Sequence, residues 1–354
     1  MEKSSGNQLK KNQIDPLTPV NFWRKISIGL LILTIIFIIA SSIGPVYLPI
    51  MNVLKIIFSR APFIVLDQHS PSTWNTIIWD IRLPRIALSA LVGASLSLSG
   101  AAYQGLFRNP LADPYLIGVS SGAGLGATVI LVTGLTNPNL LPFAAFTGAL
   151  ISVSVAYAIA HRSDALPLQT LILAGVAISS LASAITALLM IQSDPEIRPI
   201  LNWLLGGFSK AQWVHTFLVL LYFIPCATLI LIHSRVLNVM QLEEEHATQV
   251  GINVDRTKVI LIISASLTTA AAVSFSGLIG FVGLIAPHIA RLIWGMDYRQ
   301  LIPLSMLLGS GLLVIADLIA RTIVTPAELP VGVVTAFCGA PFFLYLLTRK
   351  KINM

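Results

Sequence analysis

The sequence predicts an all-α integral membrane protein with about ten transmembrane helices, and three observations carry that expectation. Of its 354 residues 55% are hydrophobic and only 10% charged, where an average soluble protein has about 25% charged residues. Mean hydropathy is +0.84. The apolar residues fall in uncharged runs of about 20, the length that crosses a bilayer core as a helix. Finally, the stretch 81–126 places Gly93, Ala94, Ser97, Gly100 and Ala101 at close spacing, which suits helices packed tightly against one another in lipid.

Taken in order, residues 1–21 are polar, with Lys3, Lys10 and Lys11, and read as a disordered cytoplasmic tail ahead of a single domain over 22–354. Arg24 and Lys25 introduce the first run, 26–44. Ala40, Ser41 and Ser42 admit a signal-peptide cleavage site, but the length of the run and the many that follow favour an uncleaved span. Residues 45–80 carry Lys55, Arg60, Asp67 and His69 and read as a loop with a short helix. Further apolar runs lie at 85–105, 116–134, 141–160, 168–190, 211–233, 257–275, 278–294, 301–320 and 331–348. An even number of spans puts both termini on one side, and Arg349, Lys350 and Lys351 place that side in the cytoplasm by the positive-inside rule. The same topology gives the cytoplasmic side the larger share of the 22 Lys and Arg.

Three arginines run against that rule. Arg82, Arg85 and Arg321 fall at the outer ends of spans. They either snorkel to the interface or form a basic platform for an acidic partner outside the membrane. Asp317 stands four residues before Arg321, a spacing at which the two can pair on one helix face. The largest cytoplasmic loop, about 236–256, contains a helical pattern in Leu242, Ala247 and Val250. Acids at 243–245 suit a helix start and Gly251 suits a stop. A short helix outside the membrane there is either a connector or a docking element for a partner. The net charge of +7 is scattered over short loops and reads as topology rather than nucleic-acid binding.

The chain lacks the GxxxxGK[ST] phosphate loop and HExxH, and Cys226 and Cys338 form neither a disulfide framework nor a metal site. Ser120, Ser121 and the glycines that follow read as a close-packed helix start rather than a dinucleotide loop. Gly118-Val119-Ser120-Ser121-Gly122 does fit GxSxG, so an intramembrane serine hydrolase using Ser120 and His288 is the alternative from another class. His288 and Arg291, after Pro287, are ionisable residues within a span. No chain of acids crosses the membrane, which argues against an ion-coupled carrier.

Several motifs together resemble the FecCD-type permeases of binding-protein-dependent ABC importers, over the chain from about Phe22 onward. They are Arg82-Leu83-Pro84-Arg85, Asn109-Pro110-Leu111-Ala112-Asp113-Pro114 with the following Leu116 to Gly122, Leu173-Ala174-Gly175 and Leu205-Gly206-Gly207-Phe208. Further on come Gly280 to His288, Glu328 to Thr335 and Gly339-Ala340-Pro341. The resemblance implies a type II importer permease carrying an iron(III)-siderophore, cobalamin or haem, without enzymatic activity or a cofactor or metal of its own. It implies a multi-pass protein of the bacterial inner membrane and a second permease subunit, identical or related. It also implies two cytoplasmic ATPase subunits that hold ATP and Mg, and a periplasmic or lipid-anchored binding protein. By the same resemblance Arg82, Arg85 and Arg321 dock the binding protein. Leu242, Glu244, Ala247 and Gly251 couple to the ATPase, and the cytoplasmic gate falls at Pro167, Leu168 and Gln169, where a cobalamin permease carries small hydroxylated residues. Asn109, Pro110, Asp113, Pro114, Gly118, Pro287 and His288 are motif and packing positions.

Overall fold

The computed structural model describes residues 19–60, 71–135, 137–161, 167–193, 197–242, 244–249 and 251–350, and among these the regular structure is helical. Helix α1 spans Pro19–Ser42, so the first helix begins slightly before the expected end of the tail; residues 1–18 lie outside the described residues. Helix α2 (Ile50–Phe58) follows, and α3 (Ser72–Thr76) leads through a π-helical stretch, Ile77–Arg82, into α4 (Leu83–Leu106). The second span thus starts well before residue 85, where apolarity alone began it. The wide turn ends beside Pro84, which offers no backbone donor, and the Leu83 amide reaches back five residues to the Ile78 carbonyl.

The remaining elements are α5 (Val119–Val132), α6 (Leu140–Ala160), α7 (Leu168–Gln192), α8 (Ile197–Leu204), α9 (Trp213–Ile232), α10 (Ser234–Met240), α11 (Glu244–Gln249), α12 (Val254–Ser276), α13 (Val282–Trp294), α14 (Tyr298–Ala320) and α15 (Val331–Lys350). Seven described helices are long and apolar enough to cross a membrane. Three shorter apolar ones, Val119–Val132, Val282–Trp294 and Val331–Leu346, stand where the other expected spans fall.

Helix α4 is the centre, buried along nearly its whole length between α14, α12, α13 and α9. Its small residues bring neighbouring backbones close. A Cβ at Gly93 would stand 2.2 Å from the Gly309 carbonyl oxygen, and one at Gly100 would stand 1.9 Å from that of Gly283. Hydroxyls add cross-helix bonds, Ser99 Oγ donating to the Ala265 carbonyl at 3.0 Å and Ser310 Oγ to that of Ala90 at 2.8 Å. Helices α5 and α6 repeat the device: Cβ atoms at Gly122 and Gly126 would stand 2.4 and 2.1 Å from the carbonyl oxygens of Gly148 and Ala144. The Gly-rich run after Ser120 is therefore a packing surface.

Between α12 and α13 the chain unwinds at 277–281, with Gly277 at φ +68° and Phe281 at φ +69°. Irregular backbone at membrane depth persists only where the protein satisfies it, and here other loops do so. The Gly207 amide donates to the Ser276 carbonyl at 2.8 Å, and the Tyr115 hydroxyl donates to the Ile279 carbonyl at 2.9 Å. Alongside, the Val331 and Gly332 amides donate to the Gly206 and Leu205 carbonyls at 2.9 and 3.0 Å. Four separated sequence motifs meet at this one junction.

Helix α14 starts on an Asp297 cap. Its Oδ1 accepts the Arg299 amide at 3.0 Å and the Asn238 side-chain amide of α10 at 2.7 Å. Loss of an N-cap costs about 1 kcal/mol. Asp297→Ala is therefore expected to lower the melting temperature measurably, while Arg299→Ala, whose backbone amide remains, leaves this cap unchanged.

Candidate functional site

Two polar clusters lie at opposite ends of α4. At its start, Arg82, Arg85 and Arg321 come together but do not snorkel: they are only 3, 7 and 3% exposed. Arg82 Nη1 donates to the Ser41 and Ser42 carbonyls at 2.6 and 2.9 Å, and Nη2 donates to that of Val46. Arg85 grips Asp317 with two nitrogens, Nε at 2.9 Å and Nη2 at 2.8 Å, while Nη1 meets Glu328 Oε1 at 2.9 Å. The expected Asp317–Arg321 pair exists at 3.9 Å, yet Asp317 spends its best geometry on Arg85. Arg321 also donates to the Ala40 carbonyl. In the isolated chain the three arginines are thus an internal lock joining α1, α4, α14 and the loop before α15. Glu328, whose side chain is 37% exposed, is its open side. Glu328 opens the sequence motif 328–335, and the motif alone does not reveal this contact with Arg85.

At the other end of α4, Gly105 packs on Tyr298 and Leu237, and its carbonyl accepts Gln241 Nε2 at 2.9 Å. Helix α4 has 24 residues, or about 36 Å at 1.5 Å per residue, which is enough to put the two clusters on opposite membrane faces. The loop 236–256 resolves into α10, which the periodicity did not reveal, and α11. Ala247 is fully buried while Leu242 is 62% exposed. Glu244 begins α11, and Gly251 closes it at φ +84°. Here also Arg291 Nη2 donates to Gln104 Oε1 at 3.0 Å.

Pro167 caps α7, and Leu168 and Gln169 form its first turn. Two turns later Gly175 abuts the Leu116–Ile117 backbone, where a Cβ would stand 2.6 Å from Ile117 Cα. Residues 116–117 immediately precede α5, which leaves the α10 end of α4, so the start of α7 lies at that same face. The Asn109–Pro114 motif is a chain of local turns. Asn109 Oδ1 accepts the Leu111 amide at 2.9 Å and Asp113 Oδ1 the Tyr115 amide at 2.7 Å. Burial pushes the Asp113 carboxyl up to about 6, against the pull of the Tyr115 amide. Pro110 lies within these turns, and Pro114 seats against Gly283. Gly118 enters α5 at φ +92°, a conformation that favours glycine.

The hydrolase alternative fails on geometry. The elbow needs a strand, and no strand occurs among the described residues. His288, one residue after Pro287 in α13, faces the Phe342 and Phe343 rings of α15. Ser120 sits at the entrance of α5, a helix packed on α6 and α7.

Comparison with known proteins agrees with this architecture. The model of the FecCD transport family matches residues 31–349. An uncharacterised ABC transporter permease protein of Bacillus subtilis, YvrB, is 43% identical, covering 91% of this chain and 93% of its own. A cobalamin import system permease, BtuC of Halobacterium salinarum, is 48% identical over 80% of this chain and 76% of its own. The hemin transport system permease HmuU of Yersinia pestis is 40% identical over 78% and 87%. Among solved structures, a metal-chelate type ABC transporter in an inward-facing conformation superposes with TM-score 0.80 at 31% identity, over 94% of this chain and 100% of its own. Matched along nearly its whole length, this multi-pass membrane chain belongs to the FecCD transport family of permeases.

Proposed function

We propose that this chain is the translocating subunit of a binding-protein-dependent ABC importer. Its cargo is an iron(III)-siderophore or a related metal chelate, cobalamin or haem among them, carried inward across the bacterial inner membrane with both termini in the cytoplasm. The observation that carries this reading is the family match over 31–349, and the relatives named for cobalamin and hemin transport support the class of cargo. ATP and Mg belong to two separate cytoplasmic ATPase subunits, in keeping with a sequence that lacks a phosphate loop. A second permease subunit would cover the open apolar face of α7, where Leu173, Leu181, Leu188 and Ile191 are 70, 63, 55 and 79% exposed.

In this reading the ATPases push on α10 and α11 around Leu242, Glu244, Ala247 and Gly251. The Gln241–Gly105 bond hands that motion to α4, whose far end holds the arginine lock. Gating falls at Pro167, Leu168 and Gln169, on the same face as the coupling helices. The binding protein docks over the lock at the opposite face, and Glu328, the exposed acid on Arg85, competes with an acidic partner. Glu328→Gln is accordingly expected to tighten binding-protein affinity severalfold, since a like charge is removed from the interface. Weaker binding would refute the assignment of docking to this cluster.

The function itself is tested in proteoliposomes holding this chain, its ATPase and its binding protein. Radiolabelled ferric siderophore, haem and cobalamin are supplied in turn, with and without internal ATP. ATP-dependent accumulation of one of them is the expected result. Accumulation that follows a proton or sodium gradient instead of ATP would overturn the proposal.

A further inference from the structure

We propose that the chain carries a binding site for an anionic phospholipid at the membrane surface beside α10. A cavity of about 460 Å³ opens there between the start of α1, the end of α9, the start of α10 and the first turns of α14. It is lined by Phe22, Leu231, Ile232, Ser234, Arg235, Arg299 and Pro303. Its composition is split in the way a phospholipid is split: Phe22, Leu231, Ile232 and Pro303 give an apolar wall, and Arg235 and Arg299 bring two positive charges to its mouth.

Both arginines are exposed. Neither guanidinium makes a hydrogen bond or ion pair with another described residue. Nearby positive charge deepens the bias: Lys25 of α1 reaches Gln300, next to Arg299, at 3.1 Å, and Arg24 precedes it.

The position in the bilayer fits as well. On α9 the exposed apolar residues Phe217, Leu221 and Ile224 lie on the same helix face as Leu231 and Ile232, which line the cavity. The cavity therefore continues into the lipid-facing surface of α9. It lies where α1 begins and α9 ends, at the depth of the headgroups, on the face that the positive-inside rule assigns to the cytoplasm. Basic pockets between transmembrane helices at that level recognise anionic headgroups. Here the phosphate would sit between Arg235 and Arg299, and an acyl chain would lie along Phe22 and Ile232. Because Arg235 is the second residue of α10, an occupied site would also hold the coupling segment against α1 and α14.

The test uses the full chain in phosphatidylcholine bilayers doped with spin-labelled phosphatidylglycerol or spin-labelled phosphatidylcholine. The motionally restricted fraction of each reports on contact with the protein. The wild type is expected to prefer phosphatidylglycerol. The preference should fall roughly fivefold for each arginine neutralised in Arg235→Gln and Arg299→Gln, from the strength of one basic residue at an anionic surface. It should be largely kept in Arg235→Lys with Arg299→Lys. In the unmodified protein it should weaken as salt rises from 0.05 to 0.5 M, roughly a threefold shortening of the screening length, which requires no variant to fold. Equal affinity for the two lipids, or a preference untouched by the double Gln variant, would overturn the site. So would loss of ATPase association in the double Gln variant with lipid preference unchanged, since the arginines would then serve a protein partner.

Discussion

Asp317→Ala is expected to be among the most damaging single substitutions in this chain. Asp317 is 1% exposed and accepts Arg85 Nε at 2.9 and 3.0 Å and Arg85 Nη2 at 2.8 Å. Arg321 stands 3.9 Å away. Removing the carboxylate leaves two buried guanidiniums facing each other, with only half-exposed Glu328 to balance them. Breaking one side of a buried ion pair typically costs about 3–5 kcal/mol, so the purified protein should show a large fall in melting temperature and a loss of monodisperse material.

The decisive comparison is with the double variant Arg85→Leu and Asp317→Leu. Replacing both partners of a buried pair by apolar residues is often close to neutral, and Arg321 keeps its bond to the Ala40 carbonyl. The double variant should therefore be more stable than Asp317→Ala, giving a strongly non-additive mutant cycle. Additive losses would mean that Asp317 acts by packing and not by charge.

Most of the apolar runs located their helices to within a few residues, because a span is a local property of length and charge, whereas α1 and the second span begin well before the runs at 26 and 85. The close-packed role of Gly93, Gly100 and the run after Ser120 was legible for the same reason, since small residues at helical spacing have few other uses in lipid. Elements whose stability is tertiary were not legible. Helix α8 and helix α10 are short, and their apolar positions acquire meaning only through what they pack on.

The arginines show the limit most clearly. Sequence marked Arg82, Arg85 and Arg321 as anomalous by side and offered snorkelling or docking as reasons. The structure replaces snorkelling with burial against carbonyls and acids, because Arg85 meets partners 232 and 243 residues away. The meeting of Leu205–Gly206 with Val331–Gly332 was hidden in the same way. Backbone bonds between distant loops leave no periodicity.

Gly100→Ala is expected to break the packing that this architecture depends on. The added Cβ would stand 1.9 Å from the Gly283 carbonyl oxygen, 2.7 Å from its carbonyl carbon and 3.0 Å from its Cα. All three are backbone atoms, so no rotamer change relieves the clash and α13 must move away from α4. Helix α13 cannot move freely: Pro114 already presses on Gly283, and Phe281, next to its first residue, is packed against Gly339, where a Cβ would meet the Phe281 ring at 2.4 Å. Overpacking in a dense interior costs about 1–3 kcal/mol, and this contact belongs at or beyond the upper end because it involves backbone on both sides. The expected outcome is reduced expression of folded protein and, in what survives, impaired ATP-driven uptake, since α4 joins the coupling face to the arginine lock. Gly207→Ala is the matched control, with nothing within 4 Å of its added Cβ, and should keep its melting temperature. Equal stability of the two variants would show that the α4–α13 crossing has slack, and α4 could not then transmit displacement from α10 to the far face.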